Sequence, residues 1–343
     1  MAQVCVLGGG LVGRFVAINL DSRGHAVRLV DSQPLSDVPE SIEVVQTMIG
    51  AASIRHIVQG CEVVVNCLPG RFAHAVRTPL LSIEGMKVAD LAFTAEDPRE
   101  LNALAQQHGS RMIFDVGIAP GLSNILLLEA SSQLGGLKAA KVWVGGNPQQ
   151  PDEGWSYMAP FSPTDVIEEY TRPARIRRDG AIVIESALTE RHAVEVPGYG
   201  EMEAFLTDGL RSLLDTLDCA DLSEYTVRWP GHIEKFIAAD FSDHELIEAW
   251  RFDPARPEFT WLAVETTNHD DAKMHWHILD EGGDGDSSMA RTTGLVCVDV
   301  VEMLAEGIIE ETGVMPPEFL ATKPDALKRI LASFYAAGIR VDT

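Results

Sequence analysis

The sequence predicts an α/β protein in which a doubly wound parallel sheet is joined to an inserted α+β domain built on a mostly antiparallel sheet. Three observations lead there. Short apolar runs alternate with segments of helical period over residues 1–120, short strands set off by turn residues follow, and a helical period returns after Ser288. The expected division is therefore 1–120, 121–290 and 291–343, with the last part packing back on the first. A length of 343 residues suits about two domains at roughly 100–200 residues each.

Taken in order, Gln3–Leu7 is an apolar strand that runs into Gly8, Gly9, Gly10, Leu11, Val12 and Gly13, a G-x-G-x-x-G turn. Val12, Phe15, Val16 and Leu20 then recur at helical spacing up to Gly24, and Ala26–Val30 is the next strand, ending at Asp31. Further strands are expected at Glu62–Asn66, Met86–Leu91 and Arg111–Phe114, with a helix over Pro98–His108. Leu122–Leu134 reads as a helix. Beyond it, strands are expected at Ala140–Val144, Ala181–Ile184, Tyr225–Trp229, Phe259–Thr267 and Lys273–Leu279, the last two as a hairpin across Asn268–Ala272. Helices from Ser288 to Gly307 and from Pro324 close the chain, the second burying Leu327, Ile330, Leu331 and Phe334.

Composition narrows function. The chain carries 27 Lys+Arg against 51 Asp+Glu, a net charge of −24, which repels phosphate backbones and anionic lipid. The Arg172, Arg175, Arg177, Arg178 cluster is too short to reverse that field. No apolar run reaches the roughly 18 residues of a membrane span, and the N-terminus enters a structured pattern directly, so a cytoplasmic protein is expected. Five Cys with no C-x-x-C pair fit reduced thiols. No metal site is expected: His275 and His277 share a strand face but lack a third ligand at useful spacing, and Asp280–Asp286 lacks the ligand order of a calcium loop and reads as a solvated turn.

A strand, a glycine turn, a helix and a second strand ending in an acidic residue 18 positions after the last glycine form the dinucleotide-binding Rossmann pattern. Gly8 permits the tight turn, Gly10 lets the backbone approach a pyrophosphate, and Gly13 lets helix and strand pack closely. The N–H groups that open the helix, at Leu11 and Val12, face the phosphates. Asp31 is suited to both ribose hydroxyls and repels a 2′-phosphate, so NAD is expected over NADP. Ligands of such sheets sit at the carboxyl ends of the strands, which places Leu68, Pro69, Asp90 and Asp115 at the nicotinamide edge. Asp90 also reads as an ordinary capping or turn carboxylate, and Cys67 as a buried small hydrophobe.

The string Asp115-Val116-Gly117-Ile118-Ala119-Pro120-Gly121-Leu122-Ser123-Asn124 resembles the D-x-G-x-A-P-G-x-x-N signature of the saccharopine dehydrogenase-like oxidoreductases. Glu203–Leu213, Thr226–Lys235, Met289–Arg291 and Gly313–Glu318 agree with the same family in order along the chain, most closely with its L-lysine 6-dehydrogenase branch. The resemblance implies oxidative deamination of the L-lysine ε-amino group with NAD, giving 2-aminoadipate 6-semialdehyde, which cyclises, with ammonia and NADH. Asn124, which closes the signature, joins the cofactor-contacting set.

That chemistry needs an uncharged amine, yet a free lysine ammonium has a pKa near about 10.4. Asp115 is the first candidate to orient the amine or take its proton, and His232 the second. Arg228, Lys235 or Arg172 suits the α-carboxylate, and Thr207 with Asp208 the α-ammonium. Thr207 or Asp208 reads equally as the cap of a helix carrying Leu210, Leu213 and Leu214, and Arg172 as a solvated side chain. A secondary amine such as saccharopine or a carboxylated polyamine is the alternative substrate, and a non-catalytic NAD(H)-binding regulator the alternative class. The small-molecule partner is thus an amino acid. A homo-oligomer is also expected, dimer or dimer of dimers, with Phe259, Trp261 and Trp276 at the interface.

Overall fold

The computed structural model describes every residue except Ala239, Asp240 and Asp284. Asp284 belongs to the acidic stretch read above as a solvated turn, and so lies outside the described residues. The first strands are β1 (Gln3–Leu7), β2 (Ala26–Asp31), β3 (Glu43–Gln46), β4 (Val63–Asn66), β5 (Lys87–Asp90) and β6 (Arg111–Phe114). Then come β7 (Leu137–Pro148), β8 (Ala174–Arg178), β9 (Ala181–Glu185), β10 (His192–Val196), β11 (Gly200–Leu206) and β12 (Cys219–Arg228). The chain ends with β13 (Glu258–Thr267), β14 (Lys273–Asp280), β15 (Gly313–Met315) and β16 (Arg340–Asp342).

One sheet has the order β15-β6-β5-β4-β1-β2-β3, every neighbouring pair parallel. This is the doubly wound order with the switch point between β1 and β4, where the strand sequence reverses direction. Its strands read as apolar runs because helices cover both faces of such a sheet: Val4 to Leu7 and Val63 to Val65 are buried completely. The helix Leu11–Ser22 puts Phe15, Val16 and Leu20 into the core, and Gly294, on the helix Ser288–Glu306, lies so close that a Cβ there would stand 2.4 Å from the Phe15 ring. The expected helix over Pro98–His108 is a short 3₁₀ turn, Pro98–Leu101, followed by a helix over Asn102–Gln107.

The second sheet has nine strands, in the order β10-β11-β12-β7-β13-β14-β16, with β8 joining β12 and β9 joining β8. Only β7 and β12 pair in parallel; the other pairs are antiparallel. Residues 1–117 with 293–330 form one compact unit, and 118–292 with 331–343 the other. The tail does not return whole to the first unit. β15 adds to β6, whereas β16 pairs with β14 in the second sheet.

Candidate functional site

In the first unit the glycine turn is held by the chain itself. Gly8 adopts φ +97°, and a Cβ there would stand 2.8 Å from the Cys67 carbonyl oxygen. At Gly13 a Cβ would stand 1.9 Å from the Gly8 carbonyl oxygen. Gly10 differs. It has an ordinary φ of −67°, and a Cβ there would meet nothing within 4 Å. Neither backbone nor packing within the chain asks for glycine there. Gly10 is also the N-cap of the helix beginning at Leu11, with no side chain capping it, so the first-turn N–H groups of Leu11 and Val12 face an open cradle with the positive end of the helix dipole behind it. Asp31 Oδ2 accepts from the Gly9 N–H at 2.7 Å and Oδ1 from the Gln33 N–H at 2.8 Å, which fixes the carboxylate beside the turn. These residues fit a dinucleotide.

Asp90 is a correction. It is fully buried, its Oδ2 takes the Arg77 Nε–H at 2.8 Å and an Asn66 Nδ2–H at 3.0 Å, and its Oδ1 takes the Arg77 Nη2–H at 3.2 Å and the Ala92 N–H at 2.9 Å. Four donors occupy the carboxylate, so it ties β5 to the helix Gly70–Leu81 instead of lining a cofactor edge. Burial opposes the Arg77 charge, and Asp90, followed by Asp115, more than restores it, so its pKa stands above the ordinary value. Leu68 and Pro69 are half-buried ahead of that helix, with Pro69 as its N-cap. Asp115 follows β6 at φ +54°, 2% exposed, close enough to Arg77 to be felt electrostatically.

In the second unit, the Pro230-Gly231 turn, with Gly231 at φ +87°, brings Arg228 and His232 to one phenol. Arg228 Nε donates to Tyr170 Oη at 2.7 Å, and Tyr170 Oη lies 3.1 Å from His232 Nε2. His232 Nδ1 lies 2.9 Å from the Trp155 carbonyl oxygen, which can only accept. The proton is therefore on Nδ1, Nε2 accepts, and Tyr170 donates to it. Burial, then the Arg228 charge, pushes the His232 pKa down to about 3. With both nitrogens engaged and the ring neutral, His232 is no proton acceptor for a substrate; it anchors Tyr170. Arg228 Nη1 donates to the Val227 carbonyl, its guanidinium lies 4.4 Å over the Tyr157 ring, and its carboxylate neighbour Glu169 stays 3.9 Å away. Burial works against this cation, yet Tyr170, Tyr157 and Glu169 keep its pKa above the ordinary value. Burial pushes the Tyr157 phenol up to about 12.

The other expected site residues have different employment. Asp208 receives Arg175 in a bidentate pair, Nε to Oδ1 and Nη2 to Oδ2 both at 2.9 Å, and also the Arg175 N–H on Oδ1, so its charge is matched within the chain. Neither it nor Thr207 caps a helix, because the nearest one is the single turn Leu213–Thr216 with Ser212 as N-cap. Thr207 Oγ1 pairs with Thr226 Oγ1 at 3.0 Å, and Thr226 donates to Glu169. Arg172 makes an i,i+4 ion pair with Glu168 at 3.0 Å. Lys235 donates to the Gly154 carbonyl and lies over the Trp155 ring. Asn124 Oδ1 accepts from the Gly121 N–H and the Ser123 hydroxyl, so that oxygen caps the helix Leu122–Leu134. Phe259, Trp261 and Trp276 are buried within their own unit and present no exposed apolar face. The sequence reading missed Tyr157, Glu169, Tyr170 and Trp250; the one local hint was the density of aromatic residues near Trp155 in a chain with 7% aromatics.

The saccharopine dehydrogenase C-terminal domain family matches residues 117–240 and 237–339, well over half of the chain. The chain belongs to that family. Its fold is similar over 100% of its length to 99% of a saccharopine dehydrogenase (L-Glu forming) from Saccharomyces cerevisiae, with a TM-score of 0.75 at 15% identity. A meso-dapdh mutant from Clostridium tetani covers 95% of this chain with 96% of its own at 10% identity, where the TM-score of 0.45 marks only a loose likeness. Over 70 residues, 20% of the chain, there is also 33% identity to 73% of translation initiation factor 1A 1 from Haloquadratum walsbyi. Among the described residues no helix is long and apolar enough to cross a membrane.

Proposed function

We propose that this family member is an NAD-dependent amino-acid dehydrogenase that oxidises a C–N bond: L-lysine loses hydride to NAD, and water hydrolyses the resulting imine to 2-aminoadipate 6-semialdehyde and ammonia, with NADH as the reduced product. The observation that carries the proposal is Gly10, a glycine that nothing in the chain requires, at the open N-terminus of the first helix. Leu11 and Val12 N–H groups would hold the pyrophosphate, and Asp31, already fixed by Gly9 and Gln33, would hold the adenosine ribose and repel a 2′-phosphate. The bound dinucleotide supplies the hydride acceptor. The chain's own work is then to bind the amino acid and to remove a proton from its ε-ammonium. A buried guanidinium whose nearest carboxylate stays 3.9 Å away favours an additional anion, so Arg228 would take the α-carboxylate, and Glu169 beside it the α-ammonium. Asp115, buried at the end of β6 in the first unit, would take the proton.

The experiment is a panel of L-lysine, cadaverine and saccharopine, assayed for NADH and NADPH formation with the wild type and Arg228→Lys. L-lysine with NAD is expected to react. The substitution should raise KM for L-lysine about tenfold or more, the 1.4 kcal/mol of a lost bidentate contact, while cadaverine, which has no carboxylate, responds alike in both proteins. NADH formed from saccharopine alone would move the substrate and keep the class; no reduced dinucleotide with any amine across alkaline pH would end the proposal.

A further inference from the structure

Two of the five thiols meet on one face of the first sheet. Cys5 lies fully buried on β1, directly beside Arg28 of β2 in the parallel register, so the two side chains leave the sheet on the same side. Cys61 is half-buried in the turn between the helix Ile54–Ile57 and β4, and it packs against the apolar cluster that contains Cys5. The sulfurs are within hydrogen-bond reach, with the Cys5 S–H donating to Cys61.

Arg28 completes the group. Its Nη1, held by the carbonyls of Ile57 at 2.8 Å and Gln59 at 3.1 Å, lies 3.8 Å from Cys61 Sγ. Glu43 accepts from Nε at 2.8 Å on another edge of the guanidinium, but its side chain is 57% exposed and water screens it, so the cation still acts on the sulfur. A thiolate gains from a donor and a cation together. The Cys5 thiol, and after it the Arg28 charge, brings the Cys61 pKa down to about 7 against burial and Glu43, while the shared hydrogen bond and burial push that of Cys5 up. Burial pushes Cys67, Cys219 and Cys297 up as well, which leaves Cys61 as the thiol that ionises near neutrality.

We propose that Cys5 and Cys61 form a reversible oxidation site for a hydroperoxide, with Cys61 as the attacking sulfur and Cys5 as the thiol that closes a disulfide. Cys61 attacks hydrogen peroxide, an S–O bond forms as the O–O bond breaks, and the departing hydroxide takes up the proton that Cys61 released, giving water and a sulfenic acid. Cys5 then displaces the sulfenic hydroxyl, which leaves with the Cys5 proton as a second water. The two sulfurs supply the two electrons that reduce the peroxide. The movement falls on Cys61, because β1 is paired on both sides, whereas Cys61 follows Gly60, at φ +82°, and belongs to no helix or strand.

The test treats the whole reduced chain with a small excess of hydrogen peroxide near neutral pH and counts free thiols after denaturation. The five thiols of the wild type are expected to fall by two, peptide mass spectrometry to place the bond between Cys5 and Cys61, and dithiothreitol to restore both. Cys61→Ser should keep its thiols at the same dose, and Cys5→Ala should stop at a Cys61 sulfenic acid that dimedone traps. In the wild type the rate of Cys61 alkylation by iodoacetamide should rise through a midpoint at about pH 7. Earlier oxidation at Cys67, Cys219 or Cys297, oxidised Cys61 with no bond to Cys5, a Cys61→Ser chain that loses thiols like the wild type, or a midpoint at the ordinary thiol value of about 8.5 overturns the proposal. If Cys5→Ala loses its fold, the mapped bond and Cys61→Ser decide.

Discussion

A single methyl group separates two kinds of glycine in the first turn. At Gly13 it would press on the Gly8 carbonyl, so Gly13→Ala should destabilise the protein by about 1–3 kcal/mol or more, because backbone cannot swing aside as a side chain does. At Gly10 it enters open space, so Gly10→Ala should stay within about 0.5 kcal/mol of wild type in thermal unfolding, yet weaken dinucleotide binding in a fluorescence titration. Equal effects on stability would remove the ligand's claim on Gly10. His232 gives a pH signature. Its folded pKa lies near about 3, below the unfolded value of about 6.5, so the unfolded chain binds a proton that the folded chain refuses, and stability falls as pH drops below about 6.5. Denaturant unfolding at a series of pH values should show His232→Asn losing this dependence, so that its deficit against wild type shrinks by about 1.4 kcal/mol per pH unit through that window. Sequence named His232 and Arg228; it could not name Tyr170, because the phenol that joins them lies 58 residues from Arg228.

At the scale of elements, the Arg77–Asp90 pair shows how an acidic strand end acquires a structural role. Asp90→Ala would leave the Arg77 cation buried without its carboxylate, and should cost about 3–5 kcal/mol by chemical denaturation, with the helix Gly70–Leu81 loosened from β5. A loss under about 1 kcal/mol would return Asp90 to the surface of the site. β1, β2, β4, β5 and β6 were legible because a strand buried on both faces is an apolar run whatever its neighbours; β3, mostly exposed, and the three-residue β15 were not. Nor was β8. Arg175, Arg177 and Arg178 interrupt its pattern, and their partners, Asp208, three carbonyls on 214–219 and Glu190, come from distant chain. The Asp179-Gly180 step was a readable hairpin signal beside it. β10 and β11 escaped too, although His192–Val196 carries Ala193, Val194 and Val196, and Gly200–Leu206 carries Met202, Ala204, Phe205 and Leu206.

For the whole molecule, the sequence alone determined five of the seven strands of the first unit's sheet, the glycine turn and the family, while β3 and β15 went unread. Those rest on contiguous segments and on backbone geometry that few residues permit, so they survive without knowledge of long-range pairing. Tertiary structure decided the rest: that β16 leaves the first unit to close the second sheet, that Phe259, Trp261 and Trp276 are core, and that Asp208 and Asp90 answer to arginines. The reason is that a charged side chain's role depends on which opposite charge the fold brings within hydrogen-bond reach, and a strand's on which edge is left open, and neither distance is written in local order along the chain.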